Sequence, residues 1–133
     1  MMRLIATPDP ALAAAGNKPG SIGVALYHPG TSQLAGLGAN LPGAALKQLP
    51  SAPSQRAWDF LSIALAVFAA DRFVLRSNAD DSWTRVIHLD VALHEPEPWA
   101  EQTERLAAAL RFLTGDIWSV RVRGGGQAGP VKQ

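Results

Sequence analysis

Ala57-Trp-Asp-Phe-Leu-Ser-Ile-Ala-Leu-Ala-Val-Phe-Ala-Ala-Asp-Arg-Phe-Val-Leu-Arg76 is the stretch around which the chain is organised. From Phe60 to Ala70 its only polar residue is Ser62, and neither Gly nor Pro interrupts it. Leu and Ala favour a helix, and the β-branched Ile63 and Val67 lie one turn apart. On a helical wheel Phe60, Ile63, Val67 and Val74 share one face, and Leu61, Leu65, Phe68 and Leu75 fill a second. A helix apolar nearly all round must be covered on several sides, so the pattern predicts a buried core helix with Phe68 inside it. The run is too short to span a bilayer, and Asp71-Arg72 cuts it off.

Working outward, Ser21–Tyr27 alternates, with Ile22, Val24 and Leu26 on one side, and Arg3–Ala6 reads as a short strand closed by Pro8 and Pro10. Between Pro29 and Pro53 lies a long connection punctuated by Gly and Pro, of the kind that is functional or mobile. Beyond the helix, Trp83–His94 alternates cleanly. Arg85, Ile87, Leu89, Val91 and Leu93 fall on one side, His88, Asp90 and His94 on the other. Glu95-Pro-Glu-Pro98 opens a second helix, with Trp99, Leu106, Leu110 and Leu113 at helical spacing and Gly115 as its stop. Ile117–Arg123 alternates again. The order strand, strand, helix, strand, helix, strand is that of a two-layer α+β domain. The single wet face of its strands predicts a mainly antiparallel sheet packed against two helices. Residues 1–123 form the domain, and the glycine-rich residues 124–133 form a flexible linker or tail.

At 133 residues and net charge +1 the chain is long enough for one core. Its balanced charge gives no case for nucleic acid or an anionic membrane. Without cysteine it forms neither disulfides nor thiolate metal sites, and Met1–Ala6 lacks the apolar run of a signal peptide, so a cytoplasmic protein is expected.

Chemistry-bearing groups are few. His88 and Asp90 share a strand face and could converge on an ion, but His94 lies too far along to join them and no second ligand cluster exists, so a solvated face is expected. Gly36-Leu-Gly38 lacks the strand–glycine–helix context of a phosphate loop and reads as turn. Asp59, Ser62, Asp71 and Arg72 interrupt the apolar helix. Asp71 and Arg72 are expected to be structural, pairing with Arg85 or Asp116 to lock the helix end onto the sheet. Trp83 and Trp118, at element ends, are the candidate partner-binding anchors. With no nucleophile elbow, Ser–His–Asp arrangement or paired carboxylates, no catalytic, cofactor-binding or metal residue is assigned.

Trp58-Asp-Phe-Leu61, Ala66-Val-Phe-Ala-Ala-Asp-Arg72, Trp83-Thr-Arg85, Trp99 and Phe112-Leu-Thr-Gly-Asp116 with Trp118 follow one another in a pattern that resembles the amino-terminal region of QatC-type proteins. These are the QueC-like members of bacterial anti-phage defence systems. The resemblance covers Trp58–Val122. In such proteins this region precedes an ATP-pyrophosphatase domain related to 7-cyano-7-deazaguanine synthase. That domain carries a Ser-Gly-Gly-x-Asp-Ser nucleotide loop and, in the biosynthetic relatives, zinc-binding cysteines. This chain has neither, so no ATP-binding or catalytic residue carries over. The resemblance implies a non-catalytic accessory domain that binds a QueC-like catalytic domain or a protein substrate of the defence system. A stand-alone small-ligand or metal-binding protein and a structural dimerisation module are the alternatives.

Overall fold

A computed structural model describes residues 1–39 and 53–129. Along the chain come β1 (Met2–Thr7), α1 (Pro10–Ala15), β2 (Ser21–Leu26), β3 (Ala35–Leu37), α2 (Gln55–Phe73), a 3-10 turn (Arg76–Asn78), β4 (Val86–Ala92), α3 (Glu97–Ala100), α4 (Thr103–Thr114) and β5 (Ile117–Arg123). The strands make one five-stranded sheet in the order β3-β2-β1-β4-β5, and every neighbouring pair is parallel. This corrects the expected α+β domain with a mainly antiparallel sheet: the fold is α/β. Alternation reports which strand face is wet and is silent about strand direction. Direction follows from the connections. The links β1–β2, β3–β4 and β4–β5 each contain a helix, which returns the chain to its starting edge before the next strand begins.

The principal core lies between the sheet and α2. Leu4, Ala6, Val24, Leu26, Ile87, Leu89, Val91 and Leu93 point into it, and Ile63, Ala66, Ala69, Ala70 and Val74 answer from α2 and its end. Leu106, Ala107 and Leu110 of α4 pack at its edge. The opposite face carries α1, which packs on β1 and β2. There Gly23 has no room for a side chain, because a Cβ would overlap the Ala13 carbonyl. The same face of β4 and β5 remains polar and accessible.

The helix that dominates the sequence is covered on one side only. It turns Trp58, Asp59, Ser62, Ile63, Ala66, Ala69 and Ala70 inward, whereas Phe60 and Phe68 are each 53% exposed. The expectation of burial all round, with Phe68 in the core, is therefore corrected. Its small inward residues let the helix axis approach the sheet, and its phenylalanines face away. Three-residue β3 is unforeseen in the sequence because two of its neighbours in the pattern are glycines (Gly36 and Gly38), which read as turn. Of the Pro29–Pro53 connection, residues 40–52 lie outside the described residues.

These placements set an order of stability losses. Leu89→Ala, at a fully enclosed site, should cost about 2–5 kcal/mol, while Phe68→Ala should cost only about 1 kcal/mol because half its surface is already wet. Urea denaturation of the two variants checks the ranking, and a larger loss for Phe68→Ala would contradict it.

Candidate functional site

In an open parallel sheet, ligands lie beyond the carboxyl ends of the strands, where neighbouring connections leave in opposite directions. Here that point is between β1 and β4. The Asp59 carboxylate, fully buried, sits beside it and accepts the N–H groups of His94 (3.0 Å) and Glu95 (3.1 Å) and the Gln55 amide (3.2 Å). The chain after β5 then crosses this edge. Leu93 N–H donates to the Arg123 carbonyl, Gly126 N–H donates to the Leu93 carbonyl at 3.1 Å, and Gly129 N–H donates to Gln55 Oε1 at 2.8 Å. A side chain on residue 126 would overlap the Leu93 backbone, so only glycine lets the segment lie so close. Gly126–Gly129 thus lies against the carboxyl end of β4 and the start of α2. Behind it Tyr27 stacks on Trp58 at 5.6 Å and shares a hydrogen bond with Ser62 at 2.7 Å. Burial raises the Tyr27 pKa, the Asp59 charge adds to this, and the Ser62 bond offsets part of it.

The opposite, amino-terminal edge is closed by charge. Asp116 is fully buried, and its carboxylate accepts from Arg85 Nη2 (2.7 Å), Arg85 Nε (3.1 Å) and the Arg85 backbone (2.9 Å). Arg76 grips both carboxylate oxygens from the other side, at 2.8 and 3.1 Å. Arg85 also reaches Asp71 at 2.9 Å and the Val74 carbonyl at 2.9 Å, tying the end of α2 to β4 and β5. Burial alone would raise the Asp116 pKa, but the Arg85 hydrogen bonds and charge, with the Arg76 bond, outweigh it and hold it below the usual carboxylate range. The buried donors and acceptors of Asp116 and Arg85 are met inside the cluster, which therefore positions elements, while Arg76 and Asp71 keep an accessible side. Of the residues expected to be structural, Asp71, Arg85 and Asp116 meet here. Arg72 does not: it projects outward with its guanidinium 6.0 Å from the Phe73 ring. Arg76, not singled out in the sequence, is a full member, and nothing in its local sequence distinguishes it from a surface arginine.

His88 and Asp90 lie on the open sheet face, where Asp90 pairs with Arg123 at 3.1 Å. His94 is exposed beyond the strand end, and among the described residues no group of three or more His, Cys, Asp or Glu side chains could hold a metal ion. No helix among them is long and apolar enough to cross a membrane.

What the fold does leave available is an apolar cleft of about 530 Å³ between α2 and α4. Ala64, Val67 and Phe68 form one wall, Leu113 and Thr114 the other, and Trp118 lies in the lining. Trp118 is only 6% exposed, with its indole N–H donated to Thr114 Oγ1 at 2.8 Å, so it is a fixed part of the cleft rather than a projecting anchor. Arg76 and Asp71 close one end. Beyond Arg76 stands Trp83, 71% exposed, its ring 5.5 Å from the Arg76 guanidinium and its carbonyl accepting from Arg76 Nη1 at 2.6 Å. The two sequence-picked tryptophans therefore flank one feature. The sequence did not single out Phe68, Phe112 (89% exposed) or Leu113 (75% exposed) for this surface. The available signal was an excess of large apolar residues on α2 over what one sheet face can cover. No known protein family, characterised protein or solved structure matches the chain.

Replacing Asp116 by Asn leaves Arg85 buried without its main counter-charge and should cost about 3–5 kcal/mol at neutral pH. Because the folded pKa of Asp116 is depressed, its stabilisation is fully present above the unfolded carboxylate value of about 3.9 and is lost as pH falls through the folded one. The gap in denaturation midpoint between wild type and Asp116→Asn should therefore be smaller at pH 3 than at pH 7; an equal gap at both would exclude the assignment.

Proposed function

We propose that the chain is a non-catalytic accessory domain whose α2–α4 face binds a protein partner. The observation that carries this reading is the sidedness of α2, which turns Ala66, Ala69 and Ala70 to the sheet beside Trp58 and Ile63 and leaves Phe60 and Phe68 half outside. A helix serving only its own fold places large apolar side chains inward, since burying each gains about 1.5–3 kcal/mol. Phe60, Ala64 and Phe68 instead form an outward stripe at spacings of four, and Leu113 at the end of α4 lines the same cleft as Ala64 and Phe68. A contiguous apolar surface rimmed by charged groups, here Asp71, Arg72 and Arg76, marks an interaction site. Trp83 on its Arg76 support and the rigid Trp118 lining supply aromatic groups of the type that dominate binding energy.

The non-catalytic part of the reading is supported by Gly126–Gly129, which packs on the carboxyl end of β4, next to the usual ligand position of the sheet. The resemblance of Trp58–Val122 to QatC-type proteins supports a QueC-like catalytic domain of an anti-phage defence system as the partner. Its motif residues Phe68, Leu113 and Trp118 line the cleft, and Trp83 flanks it through Arg76.

Phe68→Asp combined with Leu113→Asp tests this. Both side chains are at least half exposed, so the double variant should still fold, with a thermal transition lowered by several degrees, while co-purification with a QueC-like catalytic domain should fall at least tenfold. Association that survives the double substitution, or that never occurs with the wild-type chain, would reject the proposal.

A further inference from the structure

A second surface, on the other side of the sheet, calls for a partner of different chemistry. Parallel sheets are almost always covered on both faces. Here α1 covers β1 and β2 on that side, whereas among the described residues nothing covers β4 and β5. Strand register arranges the open part in rows. Val86 lies beside Ile117, Arg3 beside His88 and Ser119, Asp90 beside Arg121, and Ala92 beside Arg123. The first row leaves two apolar side chains in water, Val86 at 37% and Ile117 at 45% exposure. The next two rows surround a depression of about 90 Å³ whose polar lining is Arg3, His88, Asp90, Ser119 and Arg121.

The charges in these rows do not balance. Asp90 is taken by Arg123 at 3.1 Å. Among the described residues neither Arg3 nor Arg121 forms an ion pair with a carboxylate. With three arginines and one aspartate, this face holds a surplus of two positive charges, against +1 for the whole chain.

We infer that the open face of β4 and β5 docks an acidic amphipathic helix of a protein partner, which supplies the missing layer. Its carboxylates would meet Arg3 and Arg121, and an apolar residue at one end would cover Val86 and Ile117. Arginine suits this role, because its planar fork binds a carboxylate through two hydrogen bonds at once. The length is also set. A seven-residue strand (Val86–Ala92) extends roughly 20 Å, which a helix covers in about 13 residues. Isolated arginines on a wet face would bind any polyanion weakly; the adjoining apolar row is what selects a helix with two kinds of face.

The probe is a synthetic helical peptide of about 14 residues, with glutamates on one face and leucines at one end, titrated into the 133-residue chain. Saturable binding that weakens with added salt is expected, at least tenfold tighter than for the same peptide with lysines in place of glutamates. Arg3→Ser with Arg121→Ser should reduce it at least tenfold with an unchanged circular-dichroism melting curve. Phe68→Asp with Leu113→Asp should leave it unaltered, which separates this face from the α2–α4 cleft. Absence of binding, binding indifferent to the arginine substitutions, or tighter binding of inorganic phosphate or a DNA duplex would each overturn the inference.

Discussion

The buried carboxylate of Asp116, held between Arg85 and Arg76, is the interaction on which the rest of the architecture depends. A carboxylate taken wholly out of water is very unfavourable unless its charge is matched and its lone pairs are filled. Asp116 has five donors at 2.7–3.1 Å, from two guanidinium groups and one backbone N–H. The donors come from two separate segments and the acid from a third, so it can be satisfied only when the end of α2, the start of β4 and the start of β5 are together. A hydrophobic core specifies proximity; this cluster specifies which strand ends meet and at what height.

At the far end of α2 a second buried acid does the complementary task. Asp59 accepts the N–H groups that follow β4, and Ser62 bonds Tyr27 beyond β2. With Asp59 at one end and Asp71 at the other, the helix cannot rotate about its axis. Turning Phe60 and Phe68 inward would recover about 1 kcal/mol each from their exposed halves. It would also strand the Asp59 carboxylate and the two N–H groups it serves, at about 1–3 kcal/mol for each buried group, more for the charge. Polar pinning therefore wins, and the outward phenylalanines are a consequence of how the helix is fastened.

This explains how much was legible in the sequence. The strand phases could be read, because the burial of Arg85, Ile87, Leu89, Val91 and Leu93 on one side follows from period two alone. Asp71, Arg85 and Asp116 could be picked out as polar groups interrupting apolar surfaces. Strand direction could not, since a wet face arises equally in an antiparallel sheet and in a parallel sheet with an unfinished layer. The rotation of α2 was hidden for a related reason. A helix apolar all round has no hydrophobic direction, so the choice falls to Asp59 and Ser62, whose partners are distant in sequence. The cleft inherits that uncertainty: Trp83 and Trp118 could be nominated from composition and position, but Phe68 read as core.

The two available surfaces lie on opposite sides of the sheet and differ in the force they offer. Contacts across the α2–α4 cleft draw on apolar area, which salt screening scarcely affects. Contacts on the open face of β4 and β5 draw on arginines in water, whose reach is about one Debye length and shrinks as ionic strength rises. A domain built this way can keep one neighbour under all conditions and release another as salt increases. The sheet between them is tied at its amino-terminal edge by Asp116 and at its carboxyl edge by Asp59 and the Gly126–Gly129 segment. Neither contact needs the sheet to deform, so the simplest coupling between two such partners is positional: each is held at a set orientation relative to the other, across one layer of five strands.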